Sequence, residues 1–298
     1  MAGIDPISVV LFILGAIVGS FLNVCIVRLP HEQSVVTPRS HCVHCKKTIA
    51  WYDNIPFFSY LVLRGRCRSC GQKISPRYFL VELVTALTFF GFYQYYGLQI
   101  ILLPYLVMVC GFIVATFVDF EHRIIPDEVS VGGVLAGLVF SLLIPQMHEV
   151  AALDRAPMLV HLHSLGLSLL GVLVGGGCTY VMGALGNNML RILRRIGIFC
   201  RRSPRWRARF KRYRGMRESI GGGDIKLLAM VGAFMGWKMA MLTFFFAPFF
   251  GAVYGLIEVL RKKGSVIAYG PFLILGALVS LFWGDEIIRW ILWVYGLY

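Results

Sequence analysis

Two groups of side chains in this sequence have the types and spacing to do chemistry. The first is sulfur: Cys42-Val43-His44-Cys45 and Cys67-Arg68-Ser69-Cys70 are two CxxC pairs, separated by 21 residues. In a CxxC turn both thiolates can point at one ion, and two such knuckles complete a tetrahedral sulfur site. Zinc is the favoured occupant. A thiol–disulfide pair and an iron–sulfur cluster remain as alternatives, and His41 or His44 could replace one ligand. Four thiolates leave no open position for a water, so the site reads as structural. The second group is acidic. Asp119 follows an apolar run that ends at Val118, and Asp224 closes Gly221-Gly222-Gly223-Asp224 just before another. Ionisable groups at a membrane boundary are costly unless paired or hydrated, which marks them for function. Equally, Asp119 could simply end one helix and Asp224 cap the next. On the residues alone, both readings stay open.

The elements that must position these groups are set by composition. Of the 298 residues, 58% are hydrophobic and 15% charged, and the mean hydropathy is +0.73. A typical soluble domain carries about 25% charged side chains. The composition excludes a soluble domain, a disordered chain and a disulfide-dense secreted scaffold. It predicts an all-α polytopic membrane protein, a bundle of about eight transmembrane helices with a zinc-knuckle cytoplasmic loop. Apolar runs fall at about 7–27, 78–97, 100–118, 128–144, 158–183, 225–237, 239–260 and 266–283. The first lacks a basic n-region and reads as a retained anchor rather than a signal peptide. The run at 225–237 is short and glycine-flanked, as in a broken helix. Ile287 to Tyr298 is too short to span and is expected at the interface. Three regions result: a first span at 1–27, a zinc-binding excursion at 28–77, and a membrane region at 78–298. The last carries a basic insertion at 184–220, part of which could lie along the inner leaflet as an amphipathic helix.

Charge orients this layout. The net charge is +14, and all but three of the 29 Lys and Arg fall in, or just beyond, the loops joining the inner ends of the spans. Basic residues stay in the cytoplasm during insertion. The N-terminus is therefore expected outside, the zinc region inside, and the arginines against anionic lipid head groups. The clustering does not suit a nucleic-acid duplex, so no nucleic acid is expected.

Further motifs run the length of the chain. Gly19-Ser20-Phe21-Leu22-Asn23-Val24 leads to Arg28-Leu29-Pro30, and the cysteine pairs bracket Trp51-Tyr52-Asp53-Asn54-Ile55-Pro56 and Ser59-Tyr60-Leu61. Arg77-Tyr78 and Val81-Glu82-Leu83 follow, then Asp119 with Ile125-Pro126-Asp127, Asp224 with Lys226-Leu227, and Tyr269-Gly270-Pro271-Phe272. In that order, this set resembles the bifunctional prepilin peptidases, inner-membrane aspartic proteases of bacteria that process type IV pilins and type II secretion pseudopilins. Two departures stand out: the long arginine-rich approach to Asp224, and Gly222 between the outer glycines.

The resemblance implies that Asp119 and Asp224 carry the protease chemistry, with Gly221, Gly222 and Gly223 shaping the turn that places Asp224. Paired carboxylates share one proton, so one can act as base while the other acts as acid. Asp127 is expected to be structural, and Glu121 and His122 interfacial. The resemblance further implies N-methylation of the new amino terminus with S-adenosylmethionine as donor. No GxGxxG loop marks where that donor sits, and Asp53 and Glu82 are weak candidates for contacting it. Its substrates would be type IV prepilins or pseudopilins, with a short basic leader before an apolar helix. Two other classes fit less well: a transporter with a regulatory zinc domain, and a non-catalytic secretion-assembly protein.

Overall fold

A computed structural model describes residues 5–148, 157–199, 220–260 and 268–296. The rest of the basic insertion, the Arg155 loop and the Arg261-Lys262-Lys263 triplet lie outside these residues. The chain divides into two compact units, residues 1–129 and 130–298.

In the first unit, α1 (Pro6–Arg28) is capped by Asp5, whose carboxylate accepts the Ser8 N–H at 2.8 Å. A short helix α2 (Phe58–Val62) lies within the polar excursion, which leads into α3 (Arg77–Tyr96) and then α4 (Leu102–His122). Gly97, at φ 68°, ends α3. α1 and α3 run antiparallel and almost touch. A Cβ on Gly15 would sit 2.8 Å from Ala86 Cα, and one on Gly19 2.8 Å from Glu82 Cα. With no hydrophobic force between helices in lipid, such small-residue contacts and interhelical hydrogen bonds hold the pair. At one end Tyr93 Oη donates to Asp5 at 2.6 Å and Gln94 Nε2 to Ser8 Oγ at 2.9 Å. At the other, Asn23 Nδ2 donates to the Tyr78 carbonyl at 2.9 Å. α4 packs on both helices and buries Met108, Phe112 and Val118.

The second unit holds α5 (Asp127–Leu143, its first turn at the boundary), α6 (Pro157–Phe199), α7 (Gly222–Leu260) and α8 (Gly270–Val294). Glycines again set the spacing. Gly171 and Gly232 bring the α6 and α7 backbones together, and a Cβ on Gly175 would lie 2.5 Å from the Leu228 carbonyl. α7 breaks at Gly236 (φ 77°, ψ 175°), where the sequence predicts a boundary between two runs. The break frees carbonyls of the preceding turn, and Ser168 Oγ donates to Ala233 O at 2.7 Å. A broken helix survives in a bilayer only when neighbours satisfy its freed groups in this way.

Two expectations change. The eight apolar runs all fall on helices among the described residues, the two around Gly236 on the two helical segments that meet at the break in α7. Five of these helices, α1, α4, α6, α7 and α8, are long and apolar enough to cross a membrane. The start of the basic insertion, up to Phe199, continues α6 rather than forming its own element. Leu, Met, Ile and Arg carry the helix past the weak formers Gly186, Asn187 and Asn188, and no proline falls between these and Phe199. Finally, the run beginning at Ile287 is the end of α8, since no proline interrupts 284–294. α6, with 43 residues, reaches about 65 Å at 1.5 Å per residue. That is roughly twice the hydrocarbon thickness, so much of it projects from the bilayer.

Candidate functional site

The cysteine pairs fold as two copies of one turn. Cys42 N–H donates to Lys47 O and Lys46 N–H to Cys42 O, each at 2.9 Å; Cys67 to Gln72 O and Gly71 to Cys67 O repeat both bonds at 2.9 Å. Isolated bridges pair His41 with Thr48 and Arg66 with Lys73. The residue after each second cysteine takes a left-handed conformation, Lys46 at φ 59° and Gly71 at φ 69°. The 25-residue repeat, from Ser40–Ile49 to Gly65–Ile74, is visible in the sequence as a shared spacing of both cysteines and the final isoleucine. The CxxC spacing alone did not bring it out.

The four Sγ atoms lie within 4.8 Å of one another, and Cys42 Sγ is 3.9 Å from Cys70 Sγ. Tetrahedral zinc with bonds of about 2.3 Å requires sulfurs about 3.8 Å apart. The cluster therefore fits one metal ion, and its four cysteines are free of disulfides. Backbone N–H groups of Cys45 and His44 pull the Cys42 thiol down to about 6. The Gln72 N–H also pulls Cys70 down, but burial and the Cys67, Cys45 and Cys42 sulfurs outweigh it and push Cys70 up to about 11. Four sulfurs so close cannot all ionise without a cation. His41 is half-buried, its Nδ1 3.2 Å from Arg39 O, and is not among the four clustered ligands.

The acids occupy helix ends. Asp119 is 6% exposed in the last turn of α4, and its carbonyl accepts the N–H of Arg123, which closes the helix in a left-handed conformation. Asp224 lies in the first turn of α7, its N–H 3.2 Å from Gly221 O. A Cβ on Gly221 would lie 3.2 Å from the Asp224 carboxylate, so a side chain there would crowd it. Gly222 and Gly223 are already helical, and none of the three glycines has a positive φ. Tyr269, at the start of α8, is an electrostatic neighbour of Asp224. Its place in the tyrosine-glycine-proline motif was the only signal for it. Asp119 belongs to the first unit and Asp224 to the second. Asp127 opens α5, where a carboxylate favours the helix N-terminus.

The two weak candidates have partners. Asp53 takes a bidentate ion pair from Arg68, at 2.7 and 2.8 Å, which ties it to the second knuckle. Glu82, 9% exposed, accepts the Phe57 N–H at 3.0 Å and the Ser20 hydroxyl. Glu121 pairs with Arg77, and the His122 ring meets His31 edge-on at 5.5 Å.

A helical membrane protein with a four-cysteine cluster able to hold a metal ion and with acids at two helix ends, Asp119 buried and Asp224 half-buried, has the outline of a membrane-embedded hydrolase. The chain belongs to the type IV leader peptidase family, whose profile matches residues 106–256; that of the bacterial peptidase A24 N-terminal domain matches 13–96. Among curated relatives, a prepilin leader peptidase/N-methyltransferase of Myxococcus xanthus is 38% identical over 85% of this chain and 63% of its own length. Relatives of the same name from Stutzerimonas stutzeri and Bacillus subtilis are 31% and 30% identical. They cover 95% and 94% of this chain, and 93% and 95% of their own lengths. No solved structure matches the chain. None of these findings supports a transporter or a non-catalytic assembly protein.

Proposed function

We propose that this chain is a prepilin leader peptidase and N-methyltransferase of the bacterial inner membrane. It removes the short basic leader from type IV prepilins or secretion pseudopilins at the cytosolic face, then methylates the new terminal amine. The observation that carries this reading is that the two family profiles match in order, the first over the cysteine pairs and the second from residue 106 to 256, so that Asp119 and Asp224 both lie within the peptidase match.

The peptidase step is assigned to Asp119 and Asp224. The ionised carboxylate takes a proton from water, whose oxygen adds to the scissile carbonyl carbon. The protonated one hydrogen-bonds the carbonyl oxygen and passes its proton on as charge develops there. Collapse of the tetrahedral species breaks the C–N bond: the hydroxyl proton returns to the aspartate that gave it, and the departing amine takes the proton that the other aspartate drew from water.

The knuckle is assigned one structural zinc, held by Cys42, Cys45, Cys67 and Cys70. Its role is to fold residues 28–77, which have little apolar core of their own. S-adenosylmethionine supplies an electrophilic methyl group when bound. The orientation puts the N-terminus outside and the basic loops against anionic lipid.

The test is incubation of purified enzyme with a pilin-like precursor in liposomes, with both new termini read by mass spectrometry. Wild type is expected to cut once at the cytosolic boundary and to add a methyl only with the donor present. Asp119→Asn and Asp224→Asn are each expected to lose about 10²–10⁴-fold in cleavage, as when a general acid–base is removed, while Asp127→Asn retains it. Appreciable turnover by both single variants would overturn the dyad.

A further inference from the structure

The first unit contains a cleft of about 1250 Å³ beside the knuckles, where the ends of α1, α3 and α4 converge. Sites for drug-sized ligands usually measure about 300–1,000 Å³, so this one has room for a nucleoside and more. Three polar groups lining it have unmet requirements. Asn23 is 3% exposed, and its Oδ1 has no hydrogen-bond donor. The amide orientation is fixed, because Nδ2 donates to Tyr78 O; a flipped amide would set oxygen against oxygen. Glu82 receives only the Phe57 N–H and the Ser20 hydroxyl, and among the described residues no cationic side chain pairs with it. Arg77 binds Glu121 through Nη1, but its Nε is buried without an acceptor.

These groups are neighbours by construction. Gly19 seats α1 against Glu82 of α3, Asn23 lies one turn further along α1, and its partner Tyr78 lies one turn before Glu82 and next to Arg77. Buried polar groups are almost always satisfied, and an orphan in a native fold calls for a missing partner. Water would satisfy one atom but would not neutralise a buried carboxylate. A free acceptor and a buried carboxyl with no cationic partner are suited to a cationic donor. A free guanidinium N–H requires an acceptor, and the guanidinium fork has donors enough for a second carboxylate.

We infer that this cleft binds the α-amino-acid end of the methyl donor, with Asn23 Oδ1 and the Glu82 carboxylate receiving its ammonium and Arg77 its carboxylate. The inference rests on the methyl-transfer reading above and adds to it the place and the polar partners of the donor. The other source of an ammonium is the amino terminus exposed by cleavage, and the experiment separates the two.

The measurement is calorimetric binding to full-length, zinc-loaded enzyme in detergent, using three probes. S-adenosylhomocysteine carries the amino-acid end; 5′-methylthioadenosine lacks it; a short peptide with a free amino-terminal Phe carries only an ammonium. Wild type should bind S-adenosylhomocysteine at least tenfold more tightly than 5′-methylthioadenosine. Asn23→Leu, Glu82→Gln and Arg77→Gln should each weaken S-adenosylhomocysteine at least tenfold, with 5′-methylthioadenosine changed less than twofold. Retained nucleoside binding and one zinc per chain show that a variant is folded. Unchanged S-adenosylhomocysteine affinity in the variants of a methylating enzyme overturns the placement alone. A loss confined to the peptide amine does the same and assigns the site to the product terminus. A wild type that neither binds S-adenosylhomocysteine nor methylates overturns the methyl-transfer reading itself.

Discussion

A carboxylate near a bilayer must be paired, hydrated or protonated, and the acids of this chain divide along those lines. Asp53 is paired with Arg68, Glu82 is buried with neutral donors, and Asp119 is buried at a helix end. Asp5 is the simplest case: hydrogen bonds from the Ser8 and Tyr93 hydroxyls and the Ser8 N–H hold its carboxyl below the usual 3.8. A group depressed in the folded state stabilises it fully above the unfolded pKa, and that contribution fades as pH falls through the lower folded value. The unfolding temperature of the wild type in detergent should therefore drop as pH falls below about 3.8, and Asp5→Asn should show a shallower drop. Equal acid sensitivity of the two proteins would remove Asp5 from the account.

At the scale of elements, the repeated knuckle makes a prediction from its internal asymmetry. Equivalent left-handed positions hold Lys46 in one copy and Gly71 in the other. A side chain in that conformation costs roughly 1–2 kcal/mol. Gly71→Val should therefore speed zinc loss to a chelator, whereas Lys46→Gly should leave it unchanged or slow it; faster loss from Lys46→Gly would contradict the symmetry. A second prediction concerns α7. Gly236, at φ 77° and ψ 175°, occupies a region open essentially only to glycine, and a Cβ there would also lie 3.3 Å from His148 Nδ1. Gly236→Ala should cost about 1–3 kcal/mol, seen as a lower midpoint of unfolding in mixed micelles. The sequence marked this break through its glycines, but not the neighbour that satisfies a carbonyl it frees, here Ser168 of α6, 65 positions before Ala233.

For the whole molecule, the distribution of basic residues makes a prediction about sidedness. With 26 of 29 Lys and Arg assigned to one side, reversal would carry nearly all that charge across the bilayer during insertion. A single reporter cysteine at Val36, exposed in the polar excursion and placed in a background that keeps the four knuckle cysteines, should react with an impermeant reagent only in inverted vesicles. Labelling of intact spheroplasts would refute the orientation and with it the cytosolic cut.

What the sequence determined by itself were properties written in composition and spacing. Helices, a membrane and a four-sulfur knuckle follow from apolar runs of bilayer length and from two CxxC pairs, because hydropathy and ligand spacing are local. The ordered motifs likewise carried the family. The tertiary structure decided what depends on contacts between distant segments. Asn23 and Glu82 lie 59 positions apart, yet their helices meet at Gly19, and only that contact leaves Asn23 Oδ1 buried without a donor. Arg77, a basic residue at a helix start in the sequence, is spent on Glu121 in the fold, with Nε left over. Whether a buried polar atom is satisfied is settled by what the neighbouring helix brings to it, and no reading along a single chain segment contains that information.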